Sequence, residues 1–140
     1  MYERGHGVER DKVQAAQWYL RAAQEGNPDA QVSLGQMYED GGGVSQDDSQ
    51  AAYWFRKAAE QVPDLGGAGQ GRRRLALLYY EGRGVRQDYV EAYKWFALVG
   101  TTWDMEKTAK HMTKMQIAEA QRLAKEWVKA RPAKSPPCGD

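Results

Sequence analysis

Histidine and cysteine, which serve as bases, nucleophiles and ligands of transition metals, are few in this chain of 140 residues. Its two histidines, His6 and His111, have no Cys, Asp or Glu at the spacings that metal sites use, such as H-x-x-x-H or C-x-x-C. We expect both on the surface, His6 in a loop and His111 at a helix end. The single cysteine, Cys138, lies in a tail predicted to be disordered, which is a poor place to hold a nucleophile. These residue types predict no metal site and no catalytic centre.

The glycine-rich and acidic stretches also lack the spacing of ligand-binding motifs. GGAGQG at 66–71 falls short of G-x-G-x-x-G because Arg72 stands where the last glycine belongs, and G-x-x-x-x-G-K-[ST] is absent. Asp40, Asp47 and Asp48 lack the alternating ligands of a calcium loop. The serine motifs G-x-S-x-G and S-x-x-K do not occur either. The sequence predicts a protein that is not an enzyme and needs no cofactor, with residues 66–71 as a flexible insertion loop.

Composition narrows the class of partner. The chain is 41% hydrophobic and 28% charged, ordinary values for a globular protein, and its formal net charge is +1. Near-zero net charge argues against nucleic acid as the partner. No apolar run approaches the roughly 20 residues of a membrane span, so membrane insertion is not expected. The chain contains no signal-peptide pattern, which leaves cytoplasmic and periplasmic locations both open.

The elements that must position any binding residues follow from an internal repeat. Residues 37–55 match residues 1–19 at eleven of 19 positions, where composition alone predicts roughly one. Residues 78–96 match 37–55 at nine positions. A fixed period with one insertion, in the glycine-rich stretch, is strong evidence for stacked supersecondary units. The landmarks recur after 36 and then 41 residues, as Trp18, Trp54 and Trp95 do.

The first half of each unit predicts a helix, which we call helix A. In the second unit Ala30, Leu34 and Tyr38 recur every four residues and so share one face of a helix. Pro28 suits the first helical turn, because its missing N–H is not needed there. Gly41 is expected to end this helix, because glycine readily adopts the left-handed backbone conformation found at helix C-termini.

The second half of each unit predicts another helix, helix B, after a short loop containing G-x-GV. An aspartate before each helix B (Asp11, Asp47 and Asp88) can accept a hydrogen bond from the free N–H groups of the first turn. The stripe in unit two follows helical spacing, with Ala51, Trp54, Phe55, Ala58 and Ala59. We expect an aromatic pair on each helix B to fill the space between units, namely Trp18/Tyr19, Trp54/Phe55 and Trp95/Phe96.

These segments resemble the Sel-1-like repeat family, relatives of the tetratricopeptide repeats. The matching patterns are A-x-x-x-LG-x-MY at 30–38, G-x-GV-x-x-D at 41–47 and A-x-x-WF-x-KAA at 51–59. The resemblance covers nearly all of residues 1–100. It implies an all-α fold, a right-handed α-α superhelix or solenoid of stacked helix-turn-helix repeats. Gly71 stands where the pattern of unit two has Ala30, so the geometry between units two and three is open.

The resemblance also implies a function. Members of the family are protein–protein interaction scaffolds or adaptors, many of them bacterial, which bind a partner on the solenoid surface. The alternative is a hydrolase, because some cysteine-rich relatives are described as β-lactamases. The paired cysteines of those relatives are absent from this chain.

The two ends depart from the repeat. After residue 100 we expect a short helix, then a capping box of Thr113 and Gln116 that begins an amphipathic helix, together closing the stack as a C-terminal cap. Met1 aligns with Met37, in the middle of a helix A, so unit one lacks most of its first helix. Either the chain is a piece of a longer protein or its first unit is naturally short. Trp18 should then be partly uncovered, and the chain could form a homodimer through this end.

The predicted organisation is a single Sel-1-like domain followed by a tail. Its predicted parts are a partial repeat 1 at 1–26, repeat 2 at 27–62, repeat 3 at 68–100, the C-terminal cap at 101–131, and a disordered tail at 132–140.

One cluster on the A helices could bind a protein partner. Arg73, Leu77 and Tyr80 are predicted to point away from the core side of helix A in unit three, and Val32 and Gln36 hold corresponding positions in unit two. Arg and Tyr are enriched at interface hot spots. Alternatively, Arg72 to Arg74 form a solvated face and Leu77 packs on a neighbouring helix.

Overall fold

The computed structural model describes residues 4–61 and 67–130, with only the backbone described for residues 4–9. These residues form a stack of seven α-helices. Within these ranges the chain contains helices, turns and loops but no strand. The helices are α1 (Arg4–Gln24), α2 (Pro28–Asp40), α3 (Asp48–Ala59), α4 (Gly67–Glu81), α5 (Tyr89–Val99), α6 (Thr102–Ala109) and α7 (Lys114–Ala130). The all-α helical solenoid predicted from the sequence is confirmed.

The ends of α2 are set by the residues that the sequence singled out. Asn27 precedes the helix, and its side-chain oxygen accepts a hydrogen bond from the Ala30 N–H at 3.0 Å. Pro28 occupies the first helical position. Gly41 ends the helix at φ 75°, and its N–H donates to the Met37 carbonyl at 2.7 Å. The predicted start and stop are both confirmed, because each residue supplies a bond or a backbone angle that the helix end requires.

Helices α3 and α5 begin at the predicted aspartates. The Asp47 carboxylate accepts from the N–H groups of Ser49 and Gln50, at 3.0 and 3.2 Å. The Asp88 carboxylate accepts from the Glu91 N–H at 3.1 Å. In each case the side chain satisfies donors that have no partner inside the helix.

Unit one departs from this pattern, and the prediction for it was wrong. Helix α1 runs without a break from residue 4 to residue 24, so Asp11 lies inside the helix rather than before it. His6 likewise lies in a helix and not in a loop. In unit two the loop is fixed by N–H groups that donate to Met37 and Tyr38 on the preceding helix. The corresponding Met1 and Tyr2 lie outside the described residues.

The aromatic pairs of units two and three form the centre of the core. Trp54 is 8% exposed and Phe55 is fully buried, while Trp95 and Phe96 are each 1% exposed. Small alanines beside them allow the helices to approach, and Ala51, Ala58 and Ala92 are all fully buried. The corresponding pair in unit one does not share this role, because Trp18 is exposed and Tyr19 is partly so.

The glycine-rich stretch is not the flexible loop that the sequence suggested. From Gly67 onward it forms the first turns of α4. A Cβ atom on Gly67 would lie 2.4 Å from the Pro28 carbonyl oxygen, and one on Gly71 would lie 2.7 Å from the Ala58 Cβ. Glycine is present here because α4 presses directly against the backbone of its neighbours. The close packing offsets the roughly 1 kcal/mol per residue that glycine costs in a helix.

The C-terminal helices close the stack. The Thr113 hydroxyl accepts from the Gln116 N–H at 3.1 Å, and the Gln116 side chain accepts from the Thr113 N–H at 2.9 Å. This is the predicted capping box, which is confirmed. Helix α7 packs against α5, where Trp127 meets Trp95 edge to face with ring centroids 5.6 Å apart.

Some predictions fall outside the described residues. The tail at 132–140, with Cys138, and the residues before Arg4 belong to this group. The boundaries of the predicted repeats stay predictions.

Candidate binding surface

The predicted cluster lies where α4 meets α6. Arg73 is half exposed, and its Nε lies 3.8 Å from the carboxylate of Asp104, a nearly buried residue on α6. Leu77 is partly buried and packs against the core, as the structural alternative proposed for it. Tyr80 is partly exposed at the far end of the same helix. Arg73 and Tyr80 therefore reach the surface, whereas Leu77, on the same helix, packs against the core.

Tyr80 belongs to a group of rings that joins α4, α5 and the turn after α6. Its hydroxyl lies 3.1 Å from Nε2 of His111, the histidine that was expected at a helix end. The His111 ring stacks on Tyr89 with centroids 4.8 Å apart and planes 9° apart. Lys107 lies over the Tyr80 ring, with its Nζ 4.7 Å from the centroid. These contacts hold the tyrosine ring in one orientation without covering it.

Trp103 completes this surface, and sequence reasoning missed it. Its side chain is 71% exposed, and Lys107 Nζ lies 5.2 Å from its ring centroid. Exposed tryptophan is uncommon on a protein surface outside interfaces. The one available signal was that Trp103, unlike Trp18, Trp54 and Trp95, does not recur with the repeat. We call Arg73, Tyr80, Trp103 and Lys107 the aromatic–basic patch.

The two predicted residues on α2 lie elsewhere. Val32 is 3% exposed and belongs to the hydrophobic core, so its inclusion in a surface cluster is corrected. It turns inward because α2 packs against both α3 and α4. Gln36 is partly exposed, and in the favoured orientation of its amide its oxygen accepts from Arg74 Nη2 at 2.7 Å and Nε at 2.9 Å. Gln36 thus joins α2 to α4 rather than standing free.

A network of charges ties units two and three together beside Gln36. Glu39 on α2 lies 3.8 Å from Arg74 and 3.4 Å from Arg83. Arg83 also contacts the carboxylates of Asp48, at 3.2 Å, and Glu81, at 3.3 Å. Burial raises the pKa of Glu39 above its ordinary 4.5, although both arginines act to lower it. Burial, together with the nearby carboxylates of Asp40 and Asp48, therefore outweighs the effect of the two arginines on the pKa of this carboxyl.

This imbalance predicts a change in the pH dependence of stability. A carboxyl whose folded-state pKa is raised contributes stability below its unfolded pKa and loses it as pH rises through the folded value. We expect Glu39→Gln to remove that loss, so that the variant gains stability relative to the parent between pH 4 and 7, by less than about 1 kcal/mol. Urea unfolding across this range, with exposed Glu60→Gln as control, measures it. The prediction would be contradicted if the free energy of unfolding of Glu39→Gln fell relative to that of the parent as pH rises from 4 to 7.

Arg72 differs from its neighbours, and the interpretation of all three arginines as a solvated face is wrong for it. It is 2% exposed. Its Nε donates to the Ala59 carbonyl at 2.8 Å and its Nη2 to the Gln61 carbonyl at 3.1 Å, at the end of α3. Its guanidinium carbon lies 4.8 Å from the centroid of the Trp127 ring on α7. Arg72 therefore joins α3, α4 and α7.

The same role is filled in the preceding unit by Gln31. Its Nε2 donates to the Ala23 carbonyl at 3.0 Å, and Ala23 corresponds to Ala59 in the repeat. Gln31 is 3% exposed, like Arg72. Helices α2 and α4 thus each place one long polar side chain against the last turn of the preceding helix B. Carbonyl groups in that turn lack partners within the helix.

The described residues offer no group of three or more His, Cys, Asp or Glu that could hold a metal ion. Within the same ranges, no helix has the length and apolar character that crossing a membrane would require. What the surface presents is a patch of rings and cations, and open grooves between helices.

Comparison with known proteins identifies the architecture. The family described as Sel1 repeat matches residues 1–27, 28–62 and 70–98, more than half of the chain. The chain belongs to the Sel1 repeat family. No curated protein sequence gives a significant match. The match to the first repeat includes α1, although the loop of that repeat is helical here.

Two solved structures of Sel1-type proteins are similar. One is c5321, a protective antigen present in uropathogenic Escherichia coli strains that displays an SLR fold, with 35% identity and a TM-score of 0.79 over 89% of this chain. The other is a Sel1 repeat protein from Oxalobacter formigenes, with 28% identity and a TM-score of 0.62 over 85% of this chain. This chain spans 27% and 57% of their respective lengths. Neither supports the hydrolase alternative.

Proposed function

We propose that this Sel1 repeat protein is an interaction scaffold that binds a protein partner through the aromatic–basic patch. The observation that carries the proposal is Trp103, a large aromatic side chain left 71% exposed beside Tyr80 and Lys107. Trp, Tyr and Arg are the residues most enriched at binding hot spots, and all three are present here.

The patch is also held in place before any partner arrives. Lys107 lies over both the Tyr80 and Trp103 rings, and His111 meets Tyr80 and Tyr89. Arg73 is anchored by Asp104. Side chains that are already ordered lose less conformational entropy on binding, which favours affinity. The patch draws two residues from α4 of unit three and two from α6 of the cap, so a partner bound there would contact both helices.

A hydrolase would need a nucleophile and a base within hydrogen-bond distance of one another. The patch holds one hydroxyl–imidazole pair, Tyr80 and His111 at 3.1 Å, but the His111 ring stacks flat on Tyr89 and takes part in a group of packed rings. The exposed aromatic and basic side chains around this pair favour binding over catalysis.

The test is affinity capture from source lysate, followed by measurement of Kd for the captured protein. We expect the double variant Arg73→Ala/Tyr80→Ala to weaken binding at least about 30-fold, because the loss of even one hot-spot residue costs about 2 kcal/mol or more. The matched control is Lys57→Ala/Tyr53→Ala on α3, which removes a similar cation–ring pair from another face. Unchanged Kd in the patch variant, with an intact circular dichroism spectrum, would refute the proposal.

A further inference from the structure

Lys107, a cation of the aromatic–basic patch, differs from the arginines that lie in ion-pair networks elsewhere on the chain. Arg83 lies within 3.4 Å of three carboxylates, and Arg122 lies within 2.6 Å of two. Nζ of Lys107 lies instead over the rings of Tyr80 and Trp103, and it forms a salt bridge with no carboxylate of the described residues. Its positive charge is therefore not balanced by a side chain of the described chain.

The carboxylate that accompanies Arg73 is nearly buried, while the arginine is not. Asp104 is 7% exposed, and the side chain of Arg73 is 51% exposed. The 3.8 Å between Arg73 Nε and the Asp104 carboxylate exceeds the length of a hydrogen bond, so this contact leaves the N–H donors of the guanidinium available. A partner that approaches here meets the positive group and not the negative one.

One face of α6 carries an exposed ring together with positive charge. Trp103, Lys107 and Lys110 are spaced by four and then three residues, which places them on one side of a helix. Lys110 is exposed and directly follows the last residue of α6. Glu106 is exposed as well, but it lies one position before Lys107 and is therefore turned about 100° away from it. A partner that covers the Trp103 ring meets two lysines beside it.

A ring flanked by lysines could also contact an anionic membrane surface. Helices that lie in a membrane interface bury a broad apolar face, however. Helix α6 has eight residues, and its other large apolar residue, Met105, packs against the core of the protein. The single exposed ring of this helix fits one apolar side chain of a protein better than a lipid surface.

We propose that the aromatic–basic patch recognises an acidic segment of its protein partner. Asp or Glu side chains of the segment pair with Lys107, Lys110 and Arg73, around an apolar side chain that packs on the Trp103 ring. This inference rests on the proposed function, because it names the class of partner for the same patch. Lys107 is already ordered by two rings, so its pairing costs less conformational entropy than that of a mobile lysine.

The experiment selects peptides from a random dodecapeptide library displayed on phage, with the intact chain as the target. We expect the selected peptides to be enriched in Asp and Glu together with an aromatic or large aliphatic residue. The Kd of a synthetic consensus peptide, measured by fluorescence anisotropy, should rise about tenfold in Lys107→Met and about 100-fold in Lys107→Glu, because like charges at an interface repel. Lys107→Arg should keep the affinity within about twofold.

The matched control is Lys57→Glu, because Lys57 is exposed and lies over the Tyr53 ring on α3. It should leave the Kd unchanged. A second selection, against Lys107→Glu, should give peptides that have lost their acidic residues and gained Lys or Arg. Circular dichroism checks that each variant is folded.

Three results would overturn the acidic segment. They are selected peptides without an excess of Asp and Glu, acidic peptides whose Kd is the same for Lys107→Glu as for the parent, and binding of the chain to phosphatidylserine vesicles in place of acidic peptides. Peptides that bind through Tyr80 and Trp103 but carry no acidic residue would leave the patch as a protein-binding surface. The proposed function fails separately, on an unchanged Kd of the captured protein in Arg73→Ala/Tyr80→Ala.

Discussion

Arg72→Met should lower the free energy of unfolding by about 3 kcal/mol, the larger share from two hydrogen bonds to a charged donor. The substitution leaves the carbonyls of Ala59 and Gln61 without their donor, at the buried end of α3. It also removes the guanidinium from the face of Trp127, an interaction worth up to about 2 kcal/mol when desolvated. Methionine keeps the apolar stem, so the loss reports on the charge and its bonds.

The measurement is urea unfolding at pH 7, supported by a melting temperature about 10 °C lower. Arg86→Met is the matched control, because Arg86 is exposed in the loop before α5. Arg72→Gln should recover about half of the loss, since Gln31 makes the corresponding single bond to Ala23. If Arg72→Met were no worse than Arg86→Met, Arg72 would not hold α3, α4 and α7 together.

Gly84→Ala is expected to cost at least about 3 kcal/mol. Gly84 has φ +72°, which costs an L-residue roughly 1–2 kcal/mol. An added Cβ would also lie 2.2 Å from the carbonyl oxygen of Asp48, the first residue of α3. Backbone cannot yield as a side chain can, so the loop of unit three would have to move away from α3. That movement also strains the contacts between Arg83 and Asp48.

Gly100→Ala separates the cost of the positive φ angle from the cost of the clash between the added Cβ atom and a neighbouring backbone. Gly100 has φ +87°, but a Cβ atom there meets nothing within 4 Å. We expect this variant to lose only the backbone term, about 1–2 kcal/mol, and to be about 2 kcal/mol more stable than Gly84→Ala. Equal losses in the two variants, measured by chemical unfolding, would show that the approach of the loop to α3 contributes nothing.

The repeat spacing predicted α2, α3 and α5 well because each landmark has a local reason. Pro28, Gly41, Asp47 and Asp88 act on the helix end to which they belong, through one backbone angle or one hydrogen bond. Such signals need no knowledge of tertiary structure. The same loop pattern failed in unit one, where the helix that would receive the loop's hydrogen bonds corresponds to residues outside the described range.

Other features depend on contacts that the sequence does not display. Glycine disfavours helices, yet Gly67 and Gly71 begin α4 because backbone from α2 and α3 lies against them. Arg72 and Arg73 are adjacent and chemically identical, but one step along a helix turns the first inward and leaves the second outside. Gln31, at the position that corresponds to Arg72, is buried as well, and neither burial is expected from the residue type.

The candidate surface was predicted in part. Arg73 and Tyr80 do reach the surface, but Val32 does not, since it lies in the core cluster formed where α2 packs against α3 and α4. Trp103 and Lys107 were missed because the cap does not repeat, and no second copy of its sequence marks which of its residues are unusual.

Two long polar side chains make the contacts between units directional, because the donor lies on the later unit and the acceptor on the earlier one. Gln31 and Arg72 complete the end of a helix that precedes them, so each unit depends on the unit that follows it. A chain shortened from its C-terminus would expose helix-end carbonyls to water, whereas one shortened from its N-terminus would expose the amide of Gln31 or the guanidinium of Arg72 instead. The two ends of a shortened array would therefore differ in chemistry, one a set of acceptors and the other a set of donors, although the units are close copies of each other.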